Sequence, residues 1–438
     1  MPLINSNESG IDPGSEWLGN IPFSWSMVLL SQVVSQVKNK NSDLSEKNLL
    51  SLSYGKIKRK PIDTTEGLLP ASFDGYNIIE ANDIVLRLTD LQNDHTSLRV
   101  GISTEKGIIT SAYITMRPKN SKTAKFLYYL LHTFDLRKGF YGMGAGVRQG
   151  LNYGEVKRLK IPFPAEDEQA AIANFLDNEI MRVDSIISEA KASIEEYKSW
   201  KASLIFEAVT KGLDPDVEMK DSGVEWIGEI PNSWDVLKLK YVIAFIESGV
   251  SVNASQSAAE EGKIGVLKTS SVSKYSFRPE ENKEVNLDEL DRVSCPVRAN
   301  TIIVSRMNTP ELVGACGYVE QDYPNLFLPD RLWQVHFINS VVVKYVWYYL
   351  SSNYIRNYYS SLSSGTSSSM QNISKGQFEN ARLLLPPPEV QRDIVKFLDK
   401  KCATLDSLVA EKESLIADLE AYKKSLIFEV VTGKRRVI

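Results

Sequence analysis

The 438-residue chain is poor in the side chains that most often carry chemistry. Its three histidines, His95, His132 and His336, are scattered, and none sits in a metal-spaced cluster. Three cysteines, Cys295, Cys316 and Cys402, are an odd number without metal spacing; they speak against a disulfide framework and suit a reducing cytoplasm. No apolar run approaches the ~18 residues that span a bilayer. The opening MPLINSNESG lacks the basic-then-apolar order of a secretory signal, so a cytoplasmic protein without membrane contact is expected. There is no G-x-x-x-x-G-K-[ST], which excludes an ATPase P-loop. The Asn-Pro-Pro-aromatic motif of adenine methyltransferases is missing, as is a nuclease carboxylate–lysine set, so no catalytic residue is assigned. A basic excess is missing too: net charge is −4, and any nucleic-acid role must rest on local patches.

What the chain does have is a repeat. Glu-Trp-x-Gly-x-Ile-Pro-x-Ser-Trp occurs in SEWLGNIPFSW (15–25) and again in VEWIGEIPNSW (224–234). A second pair matches without a gap at an offset of 222: Gln169 with Gln391, Phe175-Leu176-Asp177 with Phe397-Leu398-Asp399, Asp184-Ser185 with Asp406-Ser407, and SLIFE at 203 with SLIFE at 425. A period near 220 residues is a duplicated domain pair, not a solenoid. Between opener and helix lie two variable blocks, about 26–160 and 235–384, with weak echoes such as ANDIVLRL (81–88) against ANTIIVSRM (299–307) and FLYYLL (126–131) against VWYYLS (346–351). Alternating runs predict strands in a mixed α/β block, and the apolar-aromatic stretches 125–134 and 344–354 predict a core helix near each block's end.

Proline punctuation in IPFPAEDEQ and LLPPPEVQ precedes two heptad-like stretches of roughly 40 residues, about 60 Å each at 1.5 Å per residue. The inner positions read Val183, Ile186, Ala190, Ser193, Tyr197, Trp200 and Leu204 in the first. In the second they read Leu405, Leu408, Lys412, Leu415, Leu419, Tyr422 and Leu426. A solitary helix of this length exposes its stripe, so each is expected to pack on the other, antiparallel, with pseudo-twofold symmetry. The N-terminal opener then meets the C-terminus, as the middle opener follows the middle helix. The expected fold class is α+β. Its segments are a globular α/β domain over 1–164, a long helix over 165–213, a second globular domain over 214–385 and a second long helix over 386–438. Lys412 and Ser193 interrupt the stripe; they either fix register or face a docked partner.

Candidate binding chemistry lies in polar loops. SYGKIKRKP (53–61) gathers Lys56, Lys58, Arg59 and Lys60 beside Tyr54, which suits phosphate neutralisation, although a solvated charge run has the same look. GMGAGVRQG (142–150) lacks the flanking βαβ pattern of a dinucleotide loop and reads as a glycine turn that can approach a ligand closely. It offers Gly144, Arg148 and Gln149, followed by Asn152; SSGTSSSMQNISKGQ (363–377) holds the matching place, with Ser368, Gln371 and Asn372. Arg87, Lys268, Arg306 and Arg331 are further candidate DNA-contacting cations.

The two openers, the IPFPAEDEQAAIANFLD and LPPPEVQRDIVKFLD segments and the paired SLIFE endings resemble the specificity subunit of type I restriction-modification enzymes, over essentially the whole chain. The resemblance implies two target recognition domains, each reading half of a split double-stranded DNA site, on paired helices that set the spacing. It implies docking of two methyltransferase subunits and two motor-nuclease subunits. S-adenosylmethionine would sit on the methyltransferase partner, and this chain would bind no cofactor and perform no catalysis. A two-headed adaptor for proteins or glycans, and an enzyme with degenerate motifs, are the competing readings.

Overall fold

The computed structural model describes residues 10–63, 70, 72–94, 96, 98–143, 150–225, 227–367 and 370–437. It forms two compact units, residues 1–191 with 413–438 and residues 192–412. Each combines one globular block with one end of each of two long helices, Glu166–Lys211 and Pro388–Val431.

In the first unit the strands are β1 (Ser26–Leu29), β2 (Val34–Gln36), β3 (Leu49–Ser53), β4 (Lys56–Lys60), β5 (Asn77–Ile79), β6 (Ile84–Leu86), β7 (Val100–Ile102), β8 (Gly107–Ile109), β9 (Ile114–Pro118) and β10 (Lys160–Phe163). They build two four-stranded sheets, in the orders β2-β9-β6-β7 and β4-β3-β8-β5, and β1 pairs antiparallel with β10 where the chain enters and leaves the block. The aromatic stretch is a helix, Ala124–Leu136, whose Phe126, Leu127, Leu130 and Leu131 are buried.

The second unit holds β11 (Met219–Asp221), β12 (Glu229–Pro231), β13 (Asp235–Lys238), β14 (Ile243–Ser248), β15 (Gly265–Leu267), β16 (Asn282–Glu284), β17 (Pro296–Val297), β18 (Thr301–Ser305), β19 (Met307–Asn308), β20 (Cys316–Val319), β21 (Tyr323–Phe327), β22 (Leu332–Phe337), β23 (Ser364–Ser367), β24 (Met370–Asn372) and β25 (Arg382–Leu385). The sheet orders β14-β22-β18-β20 and β16-β15-β21-β17 repeat those of the first unit strand for strand. The repeat includes the parallel pair, β3 with β8 and β15 with β21, and the closing pair, β13 with β25. The echo of ANDIVLRL in ANTIIVSRM is the matching central strand: β6 and β18 each follow an asparagine at positive φ, Asn82 at 73° and Asn300 at 54°. Asparagine tolerates this region better than most residues. The aromatic helix recurs as Val343–Ser351. The second unit adds a small sheet, β19-β24-β23.

The duplicated motifs are the joints of each unit. Asp177 of the first Phe-Leu-Asp accepts a 2.7 Å hydrogen bond from the Tyr129 hydroxyl and pairs with Lys125. Asp399 of the second accepts 2.7 Å from Tyr348 and lies 3.0 Å from Lys344. Each aspartate thereby pins an aromatic helix to a long helix, and burial together with the aspartate pushes both tyrosine hydroxyls well above their ordinary range. Gln169 and Gln391, both buried, donate 2.8 Å to the carbonyls of Pro164 and Pro386 and tie each helix start to its proline turn.

The SLIFE ends also work alike. Ile205, Ala208 and Val209 are buried with Trp234 and Ile230 of the second opener, and with Ile394 and Leu398. Leu426, Ile427, Val430 and Val431 are buried with Trp25, Ile21 and Leu18 of the first opener, and with Ile172 and Leu176. Within each unit the end of one long helix therefore packs on the start of the other, which is the antiparallel arrangement. Gly212 (φ 79°) and Gly433 (φ 73°) turn the chain out of each helix beside Trp234 and Trp25. The two helices are further joined by Asp184–Lys423 in the first unit and Lys201–Asp406 in the second, 2.6 Å each, the same pair seen twice.

The seam differs from the one expected. Val183, Leu405 and Leu426 are buried, and Tyr197, Leu204, Leu408 and Leu419 are half-buried. Ile186, Trp200, Leu415 and Tyr422 instead face outward, at 44%, 58%, 38% and 42% exposure. The buried positions are Ile187, Ala190, Ile194 and Ile205. From Val183 the seam steps by four before three, a shift of one residue, or about 100° around a helix. That phase takes Ser193 out of the inner line and replaces it with Ile194. Lys412, at the repeat position equivalent to Ala190, is half-buried.

Candidate nucleic-acid interface

β3 and β4 form a hairpin at the edge of a sheet, closed by the pair Ser53 and Lys56. Its turn is Tyr54-Gly55. Lys56, Lys58 and Arg59 are exposed, while Lys60 is half-buried. Arg59 is not free: its Nε donates 2.8 and 2.7 Å to the two carboxylate oxygens of Glu105. The bond holds the Glu105 carboxyl below its usual range. The four expected cations thus reduce to two exposed ones without an ion pair among the described residues, Lys56 and Lys58.

Arg87 follows β6, half-buried, 4.0 Å from Asp94. Its surroundings are set by a residue that sequence reasoning missed. Arg99 is fully buried and donates to the carbonyls of Arg87 (3.0 Å), Thr89 (2.9 Å) and Asp90 (3.4 Å), and to that of Asp94. Its Nε reaches the Tyr141 hydroxyl at 2.9 Å. A buried guanidinium persists only when its donors are satisfied, so Arg99 fixes the segment 87–94. The Leu88 carbonyl accepts from Leu151 N at 2.9 Å, which brings the chain after the glycine loop to the same edge. Gly144, Arg148 and Gln149, like Ser368 in the second block, lie outside the described residues. Asn152 caps a short helix: its side chain accepts from Glu155 N, and Glu155 returns a bond to Asn152 N at 2.8 Å. Ser374 and Gln377 make the same capping box 222 residues later.

The second unit repeats this edge with different side chains. Ile373 N donates 3.0 Å to the Arg306 carbonyl, as Leu151 does to Leu88, and Arg306 N donates 3.1 Å to the Arg331 carbonyl. β24 pairs with β19, setting Asn372 opposite Met307 and Gln371 opposite Asn308. Arg306, Arg331, Gln371 and Asn372 are therefore brought together. Arg306 Nε and Asn372 Oδ1 are buried without a hydrogen-bond partner among the described residues. Trp25 Nε1 and His132 Nδ1 share this state, so the neighbourhood of Arg306 and Asn372 is marked by the backbone pairing that gathers it. Lys268 belongs to the other sheet, after β15, 3.8 Å from Glu281.

The remaining titratable groups read as structure. His132 is stacked on Tyr128, and burial, with the charge of Lys423, lowers it to about 4. Cys295 and Cys316 are buried thiols raised to about 12 by burial, far from a reactive thiolate. Among the described residues no group of three or more His, Cys, Asp or Glu could hold a metal ion, and no helix is long and apolar enough to cross a membrane.

Two units with one topology and diverged polar edges are what a duplicated reader requires, and the sequence matches the family described as type I restriction modification DNA specificity domain twice, over residues 24–196 and 231–416. The chain belongs to that family. It is 25% identical over 432 residues to the type I restriction enzyme MjaVIII specificity subunit of Methanocaldococcus jannaschii, covering 95% of this chain and 94% of the relative. It is 21% identical over 324 residues to the EcoKI specificity subunit of Escherichia coli K12, covering 73% and 67%. Among solved structures, a chain from a study of type I R-M complex assembly and conformational transition superposes with a TM-score of 0.68 at 16% identity, over 95% of this chain and all of that one. The HsdS subunit from Thermoanaerobacter tengcongensis superposes at 0.51 and 16% identity, over 95% and 98%. The fold of this specificity-domain family is thus shared across the chain.

Proposed function

We propose that this chain is the sequence-reading subunit of a type I restriction-modification complex, with each unit reading one half of a split double-stranded DNA site. The observation that carries the reading is the duplicated edge. One backbone frame, Leu151 to Leu88 and Ile373 to Arg306, presents unlike side chains in the two units, as two half-sites of different sequence require. Lys56 and Lys58 neutralise phosphates beside the first half-site; Arg306, Arg331, Gln371 and Asn372 face the second. Arginine and the amides suit base edges, the lysines the backbone.

The chain contributes placement rather than chemistry. Two methyltransferase subunits, which carry S-adenosylmethionine, dock on it, and two motor-nuclease subunits complete the restriction enzyme; the complex works in the cytoplasm. Methylating an adenine in duplex DNA requires flipping it out of the stack at a cost of a few kcal/mol, and a grip on both half-sites offsets that cost. The test is a methylome. Co-expression with the partner methyltransferase yields a new split motif carrying N6-methyladenine on both strands, absent without this chain. A stable complex with an active partner and no new methylation would move the reading to a two-headed adaptor.

A further inference from the structure

The turn between β3 and β4 has two residues, and both lie in the left-handed region, Tyr54 at φ 49° and Gly55 at φ 74°. Such a turn matches the twist of a hairpin and favours asparagine, aspartate or glycine at its first position. A bulky side chain there is strained, and strain of this kind collects at functional sites. Nothing among the described residues offsets it: the Tyr54 side chain is 84% exposed, with no hydrogen-bond or ring partner there. The aim of the turn is nevertheless fixed. Gly55 is seated on Leu98, where an added Cβ would lie 3.1 Å from Leu98 Cβ, and Leu98 precedes the buried Arg99 that holds the 87–94 segment. The ring therefore projects from a supported hairpin, with Lys56 and Lys58 exposed immediately behind it. The second unit has no exposed counterpart: between β15 and β16 runs a longer stretch whose Tyr275 is also at positive φ (55°) but half-buried, with Arg356 4.1 Å over its ring.

We propose that Tyr54 is a stacking wedge, its ring inserted against a base of the half-site read by the first unit while Lys56 and Lys58 hold the adjacent phosphates. Aromatic rings stack on any base, and apolar wedges pry base steps apart. The inference rests on the DNA-recognition reading and adds the mode of contact.

The test uses the complex of the full chain with its methyltransferase partner, and duplexes carrying 2-aminopurine at successive positions of the methylated motif. The variants are Tyr54→Phe and Tyr54→Asn. Asparagine suits this turn, so the Asn variant keeps or raises the thermal midpoint, and misfolding is not the explanation of a loss. Apart from the two methylated adenines, whose flipping alters the signal in either case, the wild-type complex changes 2-aminopurine fluorescence at one step of a single half-site. Tyr54→Phe preserves that signal. Tyr54→Asn abolishes it and weakens binding at least about fivefold, with the salt slope unchanged because stacking releases no counterions. An unchanged signal and affinity in Tyr54→Asn overturns the wedge while leaving the reading intact, as does a loss confined to assembly with the methyltransferase. A wild-type complex with no preferred site overturns the reading and the wedge together.

Discussion

The basic hairpin gives a quantitative test of the DNA interface. Four cations stand in KIKRK and its neighbourhood by sequence, but the structure divides them. Lys56 and Lys58 are exposed, whereas Arg59 is spent on Glu105 through two short bonds. Each neutralised phosphate contributes about 0.9 to the slope of log K against log salt. Lys56→Gln with Lys58→Gln should therefore flatten the slope by about 1.8, a difference of about twelvefold in relative affinity between 0.05 and 0.2 M salt. The control deletes the ion pair as a unit, Arg59→Gln with Glu105→Gln. It leaves local charge unchanged, removes a surface pair worth about 0–1 kcal/mol, and should leave the slope within error of wild type. Fluorescence anisotropy of the methyltransferase complex on a duplex containing the motif, at four or five salt concentrations, measures all three. A wild-type slope in the lysine double variant, or a drop of about 0.9 in the ion-pair variant, would refute the assignment.

Three further outcomes follow from the packing. His132 titrates near 4 when folded against 6.5 unfolded, so the unfolded chain binds a proton that the folded chain refuses, and stability falls as pH falls from 6.5 to 4. The loss at pH 5 is about 2 kcal/mol; His132→Phe should remove it, seen as a smaller shift of the urea midpoint between pH 7 and pH 5 than in wild type. Asp177→Asn and Asp399→Asn each weaken a charged acceptor for a tyrosine and a lysine. Each should cost about 1.5–3 kcal/mol in denaturant titrations, and equal costs in the two units would confirm matching joints. Gly433→Ala sets a Cβ 2.3 Å from Pro22 at φ 73°, whereas Gly14→Ala at φ 65° meets open space; the first should lower thermal stability clearly more than the second, whose cost is strain of about 1 kcal/mol.

The parts legible in sequence are those where burial and backbone geometry leave little choice. Trp25 and Trp234, the two Phe-Leu-Asp triplets and the SLIFE ends recur because each fills the same joint, and repetition made them visible. The shared topology of the blocks was hidden. Many of its strands have three to five residues, where buried Ile, Leu and Val exchange freely, so the traces left are the echo around Asn82 and Asn300, both at positive φ, and the aromatic helix. The helix seam was misphased because Ile186 and Ile187 are both apolar and only packing tells them apart; the interruption by Ser193 was the available signal for the other phase. Ion pairing was beyond reach in the same way. Glu105 lies 46 residues from Arg59, and nothing local announces that it cancels the charge. The role of Asn152 is legible in sequence, since Asn-x-x-Glu ahead of a short helix is a capping box.

The central claim is that two independent readers share one frame, and a block exchange tests it most directly. The entry and exit strands of the second block, β13 and β25, are paired with Asp235 opposite Leu385, so residues 235–384 can be replaced between fixed ends. Replacing them with the corresponding block of a related subunit of different specificity, and sequencing the methylated DNA, should change one half of the split motif and preserve the other half and the spacing. A motif in which both halves change, or neither does, would contradict the account.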